Sequence, residues 1–182
     1  HLSLLESNYR RKHLACVRHI TLDPTGSGVV RIHMIPPHSQ TPDDPFLLLL
    51  NGAQLVPLNF SWAVLLSEFM YCMEPYAGLE ISADDWDSML EQAVRGAKKK
   101  VYPFVKAEVL REDMGILLRS LVAIARGEEP EVEVAPLSLG EYADKMSAPH
   151  RMDLMVSAMT RDGLWHCNQK CLHCYAAGQP MG

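Results

Sequence analysis

Three cysteine thiols lie within eight residues of one another in the sequence, at Cys167, Cys171 and Cys174. This C-x3-C-x2-C spacing lets a single loop bring three thiolates around one inorganic centre. Thiolates suit soft or borderline metals, which in proteins means zinc and iron–sulfur clusters above all. Because three ligands rather than four leave one coordination position open, the spacing predicts a metal site at which chemistry can take place.

The residues before the cysteines predict the element that positions this loop. Residues 154–159, Leu-Met-Val-Ser-Ala-Met, form a mostly apolar run of the kind found in a parallel strand that is buried on both faces. We expect this strand to deliver the loop, with residues 161–166 as a connection.

The strand and loop together resemble the cluster loop of radical S-adenosylmethionine enzymes, since Asn168 follows the first cysteine and Tyr175 follows the third. The resemblance covers residues 153–178. It implies a partial α/β barrel and a 4Fe–4S cluster on the three cysteines, with the unligated iron binding S-adenosylmethionine. In that family, one-electron reduction cleaves the cofactor to a 5′-deoxyadenosyl radical that abstracts a substrate hydrogen. His173 would then lie near the adenine.

Residues 171–175, Cys-Leu-His-Cys-Tyr, are similar to one branch of the family, which carries an extra C-terminal cysteine-rich (SPASM-type) domain. That branch includes enzymes that modify peptides, so the resemblance implies a peptide or protein substrate and a reductant protein. The family's glycine-rich segment, which holds the amino group of the cofactor, is not found here. We therefore expect an N-terminal portion of a larger enzyme, and we expect these 182 residues alone to be inactive.

Two alternatives stay open for the cysteines. The first is a structural zinc site with His166 or His173 as the fourth ligand, and zinc is also possible in an isolated fragment. The second is a different class of protein, a non-catalytic peptide-binding or zinc-stabilised interaction module. The other two cysteines, Cys16 and Cys72, are expected to be small core residues.

The first part of the chain predicts two β-hairpins. One pairs residues 17–22 with 30–35, and the second covers residues 46–56. Asn51-Gly52 predicts a type I′ turn in the second hairpin, because both central residues of that turn need positive φ. We expect Pro57 to stop its ladder.

Three amphipathic helices are predicted after the hairpins, whereas residues 1–14 give only a weak helical pattern. Ser82 is the expected N-cap of the second helix, and Gly127 is the expected end of the third. The apolar residues recur at helical spacing over about 62–73, 82–100 and 106–127.

These elements predict an α+β fold in which residues 1–127 form an accessory domain. Residues 128–149 are predicted to be an acidic, proline-containing linker, and residues 150–182 the opening strand and cluster loop of the barrel. In peptide-modifying relatives a winged-helix module binds the substrate's leader as a strand added to its hairpin edge. The 46–56 hairpin and its helices are compatible with such a module, and equally with any small α+β domain.

Composition excludes several partners. The net charge is −5, from 22 acidic against 17 basic residues, which argues against a nucleic-acid-binding surface. No apolar run approaches the roughly 18 residues of a membrane span, and no signal peptide opens the chain. We therefore expect no membrane partner and a cytoplasmic protein.

Overall fold

The computed structural model describes residues 3–22, 29–38, 44–76, 79, 81–134, 160–161 and 164–165. The chain divides into two compact units, residues 1–148 and 149–182, and each is described by itself. The predicted boundaries at residues 127 and 149 remain predictions.

A four-stranded antiparallel sheet opens the first unit, with its strands in the order in which they occur along the chain. Both predicted hairpins are therefore present, and they join through the pairing of their inner strands. The strands are β1 (Arg18–Leu22), β2 (Val30–Ile35), β3 (Phe46–Leu50) and β4 (Gln54–Leu58).

The turn between β3 and β4 confirms the prediction from Asn51-Gly52. Asn51 has φ 51° and Gly52 has φ 71°, as a type I′ turn requires, and the Ala53 N–H donates to the Leu50 carbonyl at 3.0 Å. The strand register then pairs Leu50 with Gln54, so the three residues 51–53 connect the two strands.

The expectation that Pro57 stops the ladder is wrong, because β4 continues to Leu58 and Pro57 lies opposite Leu47. β4 is the last strand in the sheet order, and a proline fits an edge strand when its nitrogen faces away from the ladder.

The three predicted helices are confirmed, and a further helix precedes the sheet. Ser3 begins this first helix with a capping box, in which its hydroxyl accepts from the Glu6 N–H and the Glu6 carboxylate accepts from the Ser3 N–H. Ser82 and Gly127 act as predicted, and Gly127 takes a left-handed φ of 74°. The helices are α1 (Leu4–His13), α2 (Phe60–Met73), α3 (Ala83–Lys100) and α4 (Ala107–Arg126), with a 3-10 turn at Glu74–Tyr76 after α2.

One apolar core lies between the helices and one face of the sheet. Alternate strand residues such as Ile32, Met34 and Leu48 are buried in it, as the period of two predicts. Helix α2 packs against both α3 and α4, which explains why it is apolar over most of its circumference. The first unit is thus a mixed α+β structure.

The second unit is described only at two short strands, β5 (Thr160–Arg161) and β6 (Leu164–Trp165), which pair antiparallel. The predicted strand at residues 154–159 and the barrel start that it would open lie outside the described residues.

Candidate functional site

The predicted cluster ligands Cys167, Cys171 and Cys174 lie outside the described residues, as do His166 and His173. Their roles as ligands, or near an adenine, remain predictions that rest on spacing and resemblance.

The two strands of the second unit lie immediately before this loop in sequence. Thr160 pairs with Trp165 and Arg161 with Leu164, so β6 ends two residues before Cys167. The sequence between the predicted strand and the cluster loop therefore contains a pair of antiparallel strands that was not predicted. The signal was Asp162-Gly163, a dipeptide that favours a two-residue turn between antiparallel strands.

The chemistry of the donor set fits an iron–sulfur cluster with one open iron. Three thiolates in one short loop match three corners of a 4Fe–4S core, and the fourth corner is free for a small ligand. The same three thiolates with one imidazole would satisfy tetrahedral zinc. The donor chemistry is therefore compatible with both metals, and the metal content of the protein distinguishes them.

In the part of the chain that the structure describes, no three His, Cys, Asp or Glu side chains converge in a group that could hold a metal ion. Cys16 is exposed, so its prediction as a core residue is wrong, and Cys72 is half-buried against the core. Burial is the main cause that raises the pKa of the Cys72 thiol, and the nearby Glu68 carboxylate acts in the same direction. Cys72 therefore stays protonated at neutral pH and is a poor ligand.

A buried polar cluster that was not predicted from the sequence joins the first three helices. The Glu68 carboxylate of α2, only 3% exposed, accepts from the Tyr9 hydroxyl of α1 at 2.6 Å. Lys100 of α3 donates to both carboxylate oxygens at 2.9 Å. Because 59 residues separate Tyr9 from Glu68, no local spacing could have indicated this contact.

The strand order shows which edge of the 46–56 hairpin has a neighbouring strand. One side of this hairpin is covered, because β2 pairs with β3 along four registered pairs. β4 is therefore one edge of the sheet and β1 is the other.

Among the described helices, none combines the length and apolar character that a membrane crossing requires.

Comparison of this chain with protein-family models, with curated proteins and with solved structures gives no significant match in any of the three.

Proposed function

We propose that this chain is the cluster-bearing N-terminal part of a radical S-adenosylmethionine enzyme that acts on a peptide or protein in the cytoplasm. The observation that carries the proposal is the C-x3-C-x2-C spacing, with Asn168 and Tyr175 in their family positions after an apolar run. Residues 150–182 are then the first strand and cluster loop of the barrel.

In this proposal Cys167, Cys171 and Cys174 hold a 4Fe–4S cluster, and His173 lies beside the adenine of S-adenosylmethionine. When bound, the cluster supplies an electron, delivered by a reductant protein, and an open iron site for reductive cleavage of the cofactor. The chain's own contribution is to fix three thiolates in one short loop and to leave the fourth position free.

The first unit supports a peptide substrate as part of the proposal. It is a small α+β module with a four-stranded antiparallel sheet whose outer strands have no further strand beside them in the described part of the chain. Such edges present unpaired backbone groups, which can bind an extended peptide as an added strand.

The test is release of 5′-deoxyadenosine from S-adenosylmethionine by the complete enzyme under anaerobic, reducing conditions. We expect release by the complete enzyme, loss of release in Cys174→Ala, and unchanged release in Cys16→Ala, which removes an exposed thiol outside the loop. The 182-residue chain alone should release none, because a closed site that excludes water and positions the cofactor needs the rest of the barrel.

Equal release by the complete enzyme and Cys174→Ala would contradict the proposal. Absence of release, together with one tightly bound zinc per chain, would favour the zinc-stabilised interaction module instead.

A further inference from the structure

We propose that the outer edge of β1 binds an extended peptide segment that carries carboxylate side chains. This inference rests on the part of the proposed function that assigns peptide binding to the first unit. It assigns the binding edge to β1 rather than to the 46–56 hairpin, and it names the chemistry of the partner.

The hydrogen bonds of the sheet determine which backbone groups point outward at each edge. The Asn51 N–H donates to the Arg31 carbonyl at 2.9 Å, so the backbone groups of Arg31 and Asn51 face each other. The hydrogen-bonding backbone groups of successive residues point to opposite sides of a strand. The N–H and C=O groups of residues 30, 32 and 34 of β2 therefore point towards β1. Their registered partners are residues 22, 20 and 18, which leaves the N–H and C=O groups of His19 and Thr21 pointing outward.

The same alternation gives a poorer edge at β4. The backbone N–H and C=O groups of residues 46, 48 and 50 of β3 point towards β4, where their partners are residues 58, 56 and 54. The backbone groups of the intervening residues Leu55 and Pro57 therefore point outward. Proline has no N–H, which leaves Leu55 as the single outward donor within β4. Proline on an edge strand is one of the devices by which proteins prevent further strand pairing.

The edge of β1 has no such protection. Its residues Arg18–Leu22 include neither proline nor lysine, and the side chains of His19 and Thr21 are exposed. Within the part of the chain that the structure describes, no hydrogen bond reaches the outward backbone groups of either residue. As far as the described residues extend, two donors and two acceptors are therefore available to an incoming strand.

Charge selects the partner. The four strands contain no Asp or Glu, and their cationic and imidazole side chains are all in β1 and β2. Arg31 is exposed and lies opposite the small Thr21, so its guanidinium can reach across Thr21 towards a strand added beside β1. The rings of His19 and His33 stack at 5.8 Å on the same face. Carboxylates at alternate positions of an added strand would meet this face.

The experiment titrates the chain, labelled for amide NMR, with the blocked hexapeptide acetyl-Glu-Val-Glu-Val-Glu-Val-amide. We expect shifts at His19 and Thr21 and none at Leu55. Thr21→Pro removes an outward N–H from β1. It should weaken binding by about tenfold, which corresponds to the net free energy of one hydrogen bond between uncharged backbone groups. Leu55→Pro is the matched control on the other edge and should leave the affinity unchanged.

Two further measurements keep the test decisive if Thr21→Pro does not fold. Arg31→Gln leaves the backbone intact and should weaken binding of the Glu peptide, and the same peptide with Lys in place of Glu should give no shifts. Shifts confined to Leu55 would overturn this inference and leave peptide binding by the first unit standing. No shift at either edge at millimolar peptide, with a dispersed spectrum, would overturn both, while 5′-deoxyadenosine release would still test the radical chemistry separately.

Discussion

Glu68 is a carboxylate that the first unit buries almost completely, and its hydrogen bonds connect three helices. Tyr9 and Lys100 supply the donors, and the Lys100 ammonium also lies 5.3 Å from the centre of the exposed Tyr71 ring. A buried charge is tolerated only when such partners are present, because removing one partner leaves a desolvated group without compensation. The cluster therefore fixes α1 against α2 and α3.

Tyr9→Phe should lower the free energy of unfolding by about 1–3 kcal/mol, because the Glu68 carboxylate loses a buried hydrogen-bond donor. Tyr71→Phe is the matched control, since this tyrosine is 59% exposed, and should change the stability by less than about 0.5 kcal/mol. Urea denaturation of both variants measures the difference. Equal stabilities of the two variants would show that the Tyr9–Glu68 bond contributes nothing.

Tyr9 also predicts a dependence of stability on alkaline pH. Burial, and then the hydrogen bond to Glu68, raise the pKa of Tyr9 far above its ordinary value. The folded state therefore holds this proton after the unfolded chain has lost it, so stability from Tyr9 is complete below about pH 10 and is lost as the pH rises further. Above that pH, the unfolding free energy should fall by up to about 1.4 kcal/mol per pH unit more steeply in the parent chain than in Tyr9→Phe. Parallel pH profiles would contradict this prediction.

Individual residues differ in how far sequence predicts their roles. The left-handed conformations of Asn51 and Gly127 were predictable, because few residues adopt positive φ and both occur where a turn or helix end requires it. The exposure of Cys16 was not predictable, since its burial depends on tertiary neighbours rather than on its type.

At the scale of elements, the packing of α2 on α3 depends on one glycine. A Cβ at Gly96 would overlap Oε2 of the buried Glu68 carboxylate, which Tyr9 holds at Oε1 and Lys100 holds at both oxygens. In contrast, a Cβ at Gly115 of α4 would meet only the end of the flexible Arg119 side chain, at 2.9 Å. The two helical glycines thus have different surroundings.

Gly96→Ala should destabilise the first unit by about 1–3 kcal/mol, because the free-energy cost of displacing the Glu68 carboxylate exceeds the gain of about 1 kcal/mol in helix propensity. Gly115→Ala should be neutral or stabilising by up to about 1 kcal/mol, since Arg119 can move aside. Thermal or urea denaturation of both variants measures this. A stabilising Gly96→Ala would show that the close approach of α2 and α3 imposes no constraint.

The elements themselves follow from sequence where local chemistry decides them. Three helices were predicted from apolar spacing, and Ser82 from its position before two aspartates. Helix α1 was underestimated because its apolar pattern is weak, although Ser3-x-x-Glu6 carried the capping-box signal. The continuation of β4 through Pro57 was not predicted, because a strand can contain proline where it forms the edge of the sheet. Whether β4 is an edge strand depends on the order of the strands, which is a tertiary property.

At the scale of the whole molecule, the sequence predicts the fold class of the first unit better than it predicts the unit's function. Hairpins followed by helices predict an α+β structure, which is confirmed. The order of the four strands in the sheet and the buried Glu68 cluster could not be predicted, because both arise from contacts between residues far apart in sequence. The cysteine loop is the opposite case, since its three donors lie within eight residues and carry their signal locally.

The most direct test of the central claim is the iron and sulfide content of the complete enzyme after anaerobic reconstitution, measured with its visible absorption. We expect at least about four iron and four sulfide per chain, with thiolate-to-iron charge-transfer absorption, in the complete enzyme and in its Cys16→Ala variant. Cys171→Ala should bind about four iron and four sulfide fewer and lose the corresponding absorption, because two thiolates do not hold the cluster. A complete enzyme that takes up zinc but no iron, or a triple Ala variant of Cys167, Cys171 and Cys174 that retains the same cluster, would contradict the account.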